Sequence, residues 1–222
     1  MHSKKKFYLC LIPARIGSTR LKNKNLKKIN KDTLVEITIK QAKKTQFFKD
    51  NNIVLSSDSN KILKLGKKLN IKSILRSKKN SRNNSSTDAV LVETLSNTNF
   101  NVEGIFILQV TSPLRKISTL KKFIKYCLSK NFQHCLTVSA LYENLSKYSK
   151  NNFNPISKIR KRSQDKKPFL YENGLIYYVS RKFFDKNKKI YPKKNWNYFL
   201  TDKYESIDIN NKTDYIICKK IY

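Results

Sequence analysis

The apolar run at residues 7–12 stops at Pro13 and opens into a loop carrying Arg15, Arg20, Lys22 and Lys24. An unbroken apolar run bounded by Pro13 and Gly17 predicts a buried strand that breaks into a loop. Residues 105–110 repeat the pattern, as a central parallel strand does. Between and after these runs the chain alternates. Residues 33–45 predict a helix with Asp32 as its N-cap, and 52–56 a second strand. Asp58 is then placed to cap a helix over 59–69, whose Ile62, Leu63, Leu65 and Leu69 share a face. A short strand follows at 71–75, helices at 88–96 and 119–129, and a strand at 135–140. This order predicts an α/β fold, with a mostly parallel, mixed sheet covered on both faces.

In such sheets ligands bind beyond the carboxyl ends of the strands. The loop after the first strand and the turn at 111–115 both belong there. A strand-to-loop junction with exposed backbone N–H groups and several cations suits a nucleoside triphosphate. Neither GxxxxGK[ST] nor GxGxxG is present, so one glycine, Gly17, and basic side chains must do the work of a phosphate loop.

The 222 residues fit one domain, residues 1–222, and 39% hydrophobic content is that of a globular chain. The apolar stretch after MHSKKK is too short for a signal peptide, and nothing approaches a membrane span, so a cytoplasmic location with no membrane partner is expected. Cys10, Cys127, Cys135 and Cys218 lie far apart with only His2 and His134 to help them. That spacing predicts buried free thiols instead of zinc. The net charge of +33 admits a basic nucleic-acid-binding protein as an alternative. The charge is spread along the whole chain, however, in company with abundant Asn and Ile. Codon bias is the preferred explanation, and nucleic acid is not the expected partner.

The segment LIPARIGSTRLKNKNL at 11–26 resembles the signature of the acylneuraminate cytidylyltransferases, the CMP-sialic acid synthetase family. Further matches follow in order: SSDS at 56–59, LQVTSPLR at 108–115, RSQD at 162–165 with YENGLIYY at 171–178, and SIDIN at 206–210. The resemblance implies a Rossmann-like nucleotidyltransferase that joins CTP to a nine-carbon 2-keto sugar acid of the sialic or legionaminic type, releasing pyrophosphate. It also implies a homodimer, paired through an arm at about 141–171 that closes over the neighbouring active site. That stretch is polar and interrupted by Pro155 and Pro168. Cytidylyltransferases for KDO or pseudaminate, and a catalytically dead relative, remain alternatives.

By the same resemblance Arg15 and Lys24 are the triphosphate-binding, catalytic cations. Ala14, Gly17 and Asn25 accompany them around the nucleotide, and Arg76, Ser86 and Thr87 lie near cytosine and ribose. Ser86 or Thr87 has a second reading as a helix cap. Gln109 touches the sugar acid, with Tyr177 packed on it and Lys147 and Arg162 reaching it from the arm; Arg115 is read as structural. Asp208 is the catalytic ligand for Mg²⁺, since hard divalent ions take carboxylate, phosphate and water oxygens. Relatives often read IDID where this chain has Ile207-Asp208-Ile209-Asn210, so Asn210 is expected as a second, neutral ligand.

Overall fold

Leu9, Cys10, Leu11 and Ile12 are all fully buried, which is what an unbroken apolar run requires of a strand. The computed structural model describes residues 7–18, 20–82, 84–98, 101–156 and 162–222. In chain order its elements are β1 (Tyr8–Pro13), β2 (Lys28–Ile29), β3 (Asp32–Thr33), α1 (Leu34–Lys44), β4 (Ile53–Ser57), α2 (Asn60–Lys68) and β5 (Lys72–Leu75). Then come α3 (Thr87–Ser96), β6 (Gly104–Leu108), α4 (Ile117–Ser129), β7 (His134–Leu141), β8 (Ser146–Lys147) and β9 (Asn154–Pro155). The chain closes with β10 (Phe169–Ser180), α5 (Arg181–Asn187), β11 (Tyr198–Leu200) and α6 (Lys212–Ile221).

Seven strands form one sheet in the order β11-β7-β10-β6-β1-β4-β5. Only β10 runs against its neighbours, so the sheet is mixed and mostly parallel, as the alternation predicts. From β1 the chain winds outward through β4 and β5, then crosses to β6 on the other side. The carboxyl ends of β1 and β6 therefore flank a crevice at the reversal, the usual place for a ligand. One core face is built on Phe106, which meets Tyr178 at 4.7 Å and Phe123 edge-on at 6.2 Å. The other packs Val54, Ile107, Val90, Leu91 and Phe184. All four cysteines are buried and unpaired, as expected.

Two expected helix caps are displaced. The N-cap of α1 is Thr33, whose hydroxyl accepts from the Glu36 N–H at 3.2 Å while Glu36 accepts from the Thr33 N–H at 2.8 Å. Asp32 lies in the β2–β3 hairpin and pairs with Lys40 at 2.6 Å. Ser59 occupies the N-cap position of α2. Asp58 instead accepts from the Ile16 N–H at 2.8 Å, pinning the loop after β1 to the end of β4.

β10 carries a register shift between Glu172 and Tyr177, with Gly174 at φ 72°. A left-handed residue at a bulge is a natural place for glycine. The Asn173 side chain fills the gap in the ladder. It donates to Ser139 Oγ at 2.8 Å and Thr201 Oγ1 at 2.7 Å, and accepts from Thr137 Oγ1 at 2.7 Å. The bulge turns the Leu175 carbonyl toward Arg115. That guanidinium, 2% exposed, donates to Leu175 O at 2.9 Å, Gln109 O at 2.6 Å and Gln41 Oε1 at 2.8 Å. Gln41 in turn donates to Pro113 O at 2.7 Å and Arg115 O at 2.9 Å. Burial pushes the Arg115 pKa down to about 10, against smaller upward pulls from Cys10 and Glu205. Arg115 is thus the structural residue expected from the sequence.

Arg115→Met removes donors from buried acceptors, each of which costs about 1–3 kcal/mol when left unpaired. Urea unfolding is expected to show a loss of about 3 kcal/mol with an unchanged m-value. A loss below about 1 kcal/mol means that the carbonyls find other donors.

Candidate active site

The loop after β1 begins as a continuation of the sheet, with the Ala14 N–H donating to Ser56 O at 2.9 Å. Asp58 fixes it at Ile16, and Asn25 Nδ2 fixes its other limb by donating to Arg15 O at 2.7 Å. A Cβ at Gly17 meets no protein atom within 4 Å, so packing alone does not demand glycine there. Lys24 reaches across to the C-terminal segment, donating to Ile209 O at 2.7 Å. Partial burial lowers the Lys24 pKa, Asp208 opposes this, and Arg20 and Arg15 reinforce it. A bound polyanion would reverse that balance.

Arg76 follows β5 and is 7% exposed. It donates through Nη2 to Ser56 O at 2.9 Å and through Nε to Ser56 Oγ at 3.3 Å. Desolvation is the main influence lowering its pKa, with Asp58 and Glu93 pulling upward. Arg15, Lys24, Asn25, Arg76, Thr87 and Gln109 line one cleft of about 240 Å³ at the carboxyl ends of β1, β5 and β6. Residues scattered over about a hundred positions of sequence are thereby collected around the crevice that the topology marks.

The same cleft includes Ser18 and Ser85, which sequence reasoning missed. Ser85 Oγ is buried with no hydrogen-bond partner, and so is Asn25 Oδ1. Such orphaned atoms fit a site built for a polar ligand. Ser86 is the N-cap of α3, accepting from the Ala89 N–H at 3.2 Å, so that of the expected pair Thr87 lines the cleft and Ser86 does not. A run of hydroxyl residues before a helix gives no sign of which one the helix will consume.

Three expected sugar contacts lie outside the cleft formed within one chain; of these, Lys147 and Arg162 are expected to reach a site from the arm, across a dimer interface. Tyr177 is buried in the second core, donating to Glu172 Oε1 at 2.7 Å and meeting Tyr191 edge-on at 5.8 Å. Lys147 lies exposed on β8. Arg162 pairs with Asp165 at 2.9 Å on the surface. None of the three lines the cleft.

Asp208 and Asn210 do not line the cleft, but adjoin it through Lys24, which bonds the Ile209 carbonyl between them. Asp208 accepts from Asn210 Nδ2 at 2.7 Å through Oδ2, while its Oδ1 is buried and has no partner. Among the described residues no three His, Cys, Asp or Glu side chains gather to hold a metal. A lone carboxylate with an unsatisfied oxygen, close to the cleft cation Lys24, fits an Mg²⁺ ion that takes its other ligands from water and phosphate. Asn210, expected as the second ligand, is committed otherwise: its Oδ1 accepts from Arg20 Nη2 at 2.9 Å.

The sequence profile of the cytidylyltransferases matches residues 9–215. The chain belongs to that family. As a cytidylyltransferase-family member it is 26% identical, over 94% of its length, to the N-acylneuraminate cytidylyltransferase of Streptococcus agalactiae serotype V. It covers 51% of that relative, so the chain spans about half the length of the Streptococcus proteins it matches. It is also 26% identical to the CMP-N,N'-diacetyllegionaminic acid synthase of Legionella pneumophila, covering 96% of this chain and 95% of that one. Its fold matches CMP:2-keto-3-deoxy-manno-octonic acid synthetase complexed with CTP, with a TM-score of 0.74, 13% identity and coverage of 97% and 98% of the two chains.

Removing either loop cation tests the phosphate assignment directly. Arg15→Ala and Lys24→Ala are each expected to weaken calorimetric binding of inorganic tripolyphosphate about ten-fold, with the thermal transition moved by no more than about 2 °C. Unchanged affinity in both variants places the polyanion elsewhere.

Proposed function

We propose that this protein transfers a cytidylyl group from CTP to a nine-carbon 2-keto sugar acid and releases pyrophosphate. The observation that carries the reading is the single cleft that unites Arg15, Lys24, Asn25, Arg76 and Gln109 in a member of the cytidylyltransferase family. The names of the relatives favour a sialic or legionaminic acid as acceptor.

In this reading the anomeric hydroxyl attacks the α-phosphorus and pyrophosphate departs. Positioning and charge neutralisation do most of the catalytic work in such transfers. Arg15 offers a forked set of donors to the phosphates and Lys24 a point charge, held by Ile209 O until the nucleotide arrives. Arg76, Ser85 and Thr87 supply donors and hydroxyls on the side of the cleft suited to the pyrimidine and ribose, and Gln109 presents its amide toward the sugar. Asp208 would hold Mg²⁺, which when bound neutralises phosphate charge and orients the leaving group. The cytoplasm, with its nucleotide pool, is the proposed location; among the described residues no helix is long and apolar enough to cross a membrane.

Purified protein is expected to release pyrophosphate with CTP, Mg²⁺ and a sialic or legionaminic acid, and far less with ATP, GTP or UTP. Equal turnover of the four nucleotides removes the cytidine assignment. Asp208→Ala is expected to lower the rate about 10²-fold or more while the protein remains folded, because transition-state charge loses its counterion. Full Mg²⁺-dependent activity in that variant rejects Asp208 as the metal ligand.

We also place the active unit as a homodimer built on the excursion between Leu141 and Phe169, which pair with each other where the chain leaves and re-enters the sheet. Tyr142, Tyr148, Phe153, Ile156 and Leu170 are exposed along it, and Tyr198 and Leu200 on the adjacent edge strand β11. So many large apolar side chains exposed on one excursion and the strands beside it support burial against a second copy. Light scattering at assay concentration is expected to give twice the chain mass; an active monomer rejects the dimer.

A further inference from the structure

Asn210 sits where a metal ligand is expected, yet both ends of its amide are taken. Nδ2 donates to Asp208 Oδ2 at 2.7 Å and Oδ1 accepts from Arg20 Nη2 at 2.9 Å. The amide has one orientation that satisfies both neighbours. A carboxylate needs a donor and a guanidinium needs an acceptor, so turning the group over would set like against like at each end. Its backbone is held as well, since the Asn210 N–H donates to Asp214 Oδ2 at 2.7 Å in the cap of α6. The result is a line from Arg20 through Asn210 to one oxygen of Asp208, leaving the other oxygen, Oδ1, buried and unbonded. The Lys24 ammonium lies beside the same carboxylate and bonds the intervening Ile209 carbonyl.

We infer that Asn210 is a positioning residue, not a ligand: anchored by Arg20, it fixes the Asp208 carboxylate so that Oδ1 alone is presented to a divalent cation. The inference rests on the nucleotidyl-transfer reading of the cleft and assigns to Arg20 and Asn210 a joint role that neither has in it. A carboxylate free to rotate spends part of its time with both oxygens turned to Lys24 or to water. One whose second oxygen is hydrogen-bonded keeps the first in place, as outer-sphere partners do for metal ligands generally. Arg20 also has a direct effect of opposite sign, because a nearby cation repels the metal. The two effects separate in a double-mutant cycle, since only the one acting through Asn210 vanishes when that amide is gone.

The test is a Mn²⁺ titration followed by electron paramagnetic resonance, in the presence of CTP and without acceptor, on Arg20→Met, Asn210→Ala, the double variant and Asn210→Asp. Arg20→Met is expected to raise the Mn²⁺ Kd about three-fold or more in the wild-type background, and to leave it unchanged or lower it in Asn210→Ala. Asn210→Asp, which loses the donor to Asp208 and gains an ion pair with Arg20, is expected not to tighten Mn²⁺. Equal effects of Arg20→Met in both backgrounds, or a lower Kd in the first, overturn the inference. So does a tightening of about three-fold or more in Asn210→Asp, which identifies position 210 as a ligand. Absence of any Mn²⁺–CTP signal from the wild-type protein, together with absence of pyrophosphate release, strikes instead at the underlying functional reading.

Discussion

The architecture around the cleft depends on one buried cation. Among the described residues Arg115 makes no salt bridge, and Glu205 acts on it only at a distance; it is held by two backbone carbonyls and the Gln41 amide. A guanidinium out of water is stable only when its donors are met, and here they are met by groups from α1, the end of β6 and the bulge of β10. The geometry of each is therefore conditional on the others. Gln109 faces the cleft because its carbonyl is drawn back to Arg115, and the antiparallel strand bends at Leu175 for the same reason. The floor of the site is in this sense a hydrogen-bond network, with hydrophobic faces above and below it.

Over that floor the chain arranges opposite charges with care, despite a formal charge of +33. The scarce acids near the cleft each have an assignment. Asp58 holds the loop backbone at Ile16, Asp208 faces Lys24, and Asp214 caps α6. Partial burial leaves the Lys24 and Arg76 charges under-solvated before any ligand binds. In the proposed reading a triphosphate would meet cations whose dehydration has already been met by folding, which favours electrostatic capture. Exposed lysines on the helices, such as Lys61, Lys64, Lys67 and Lys68 of α2, add only a diffuse field.

The sheet was legible because its central strands are buried on both faces. Residues 105–110 and 7–13 could scarcely be anything else, and the cations just past β1 follow from where that strand must end. The helix caps were harder. Asp32 and Thr33 are both capable caps, and a two-residue hairpin that sequence does not reveal decided between them. Tyr177 was carried by resemblance, and the strand buries it in the second core; the bulge at Gly174 breaks the alternation of β10, so its face could not have been counted from its neighbours either. The role of Asn210 depends on a partner 190 positions away, Arg20, and no local pattern announces a contact of that range. Lys147 and Arg162 were carried by resemblance alone, and the fold puts them on the excursion, outside the cleft formed within one chain.

The cysteines lead to a practical consequence. Cys10, Cys127, Cys135 and Cys218 lie in β1, α4, β7 and α6, each buried and outside any disulfide, with Cys127 and Cys135 in hydrogen-bond contact. Burial raises the pKa of Cys10 and Cys127 strongly and that of Cys218 to about 11, so little reactive thiolate is present near neutrality. All four thiols are shielded from reagents in the folded molecule, and each is reached only when the structure around it opens. The chain thus contains four built-in reporters of local unfolding, two in strands of the sheet and two in helices that cover it. The order in which they accept a maleimide would rank the strands and helices by how often each one lets water in.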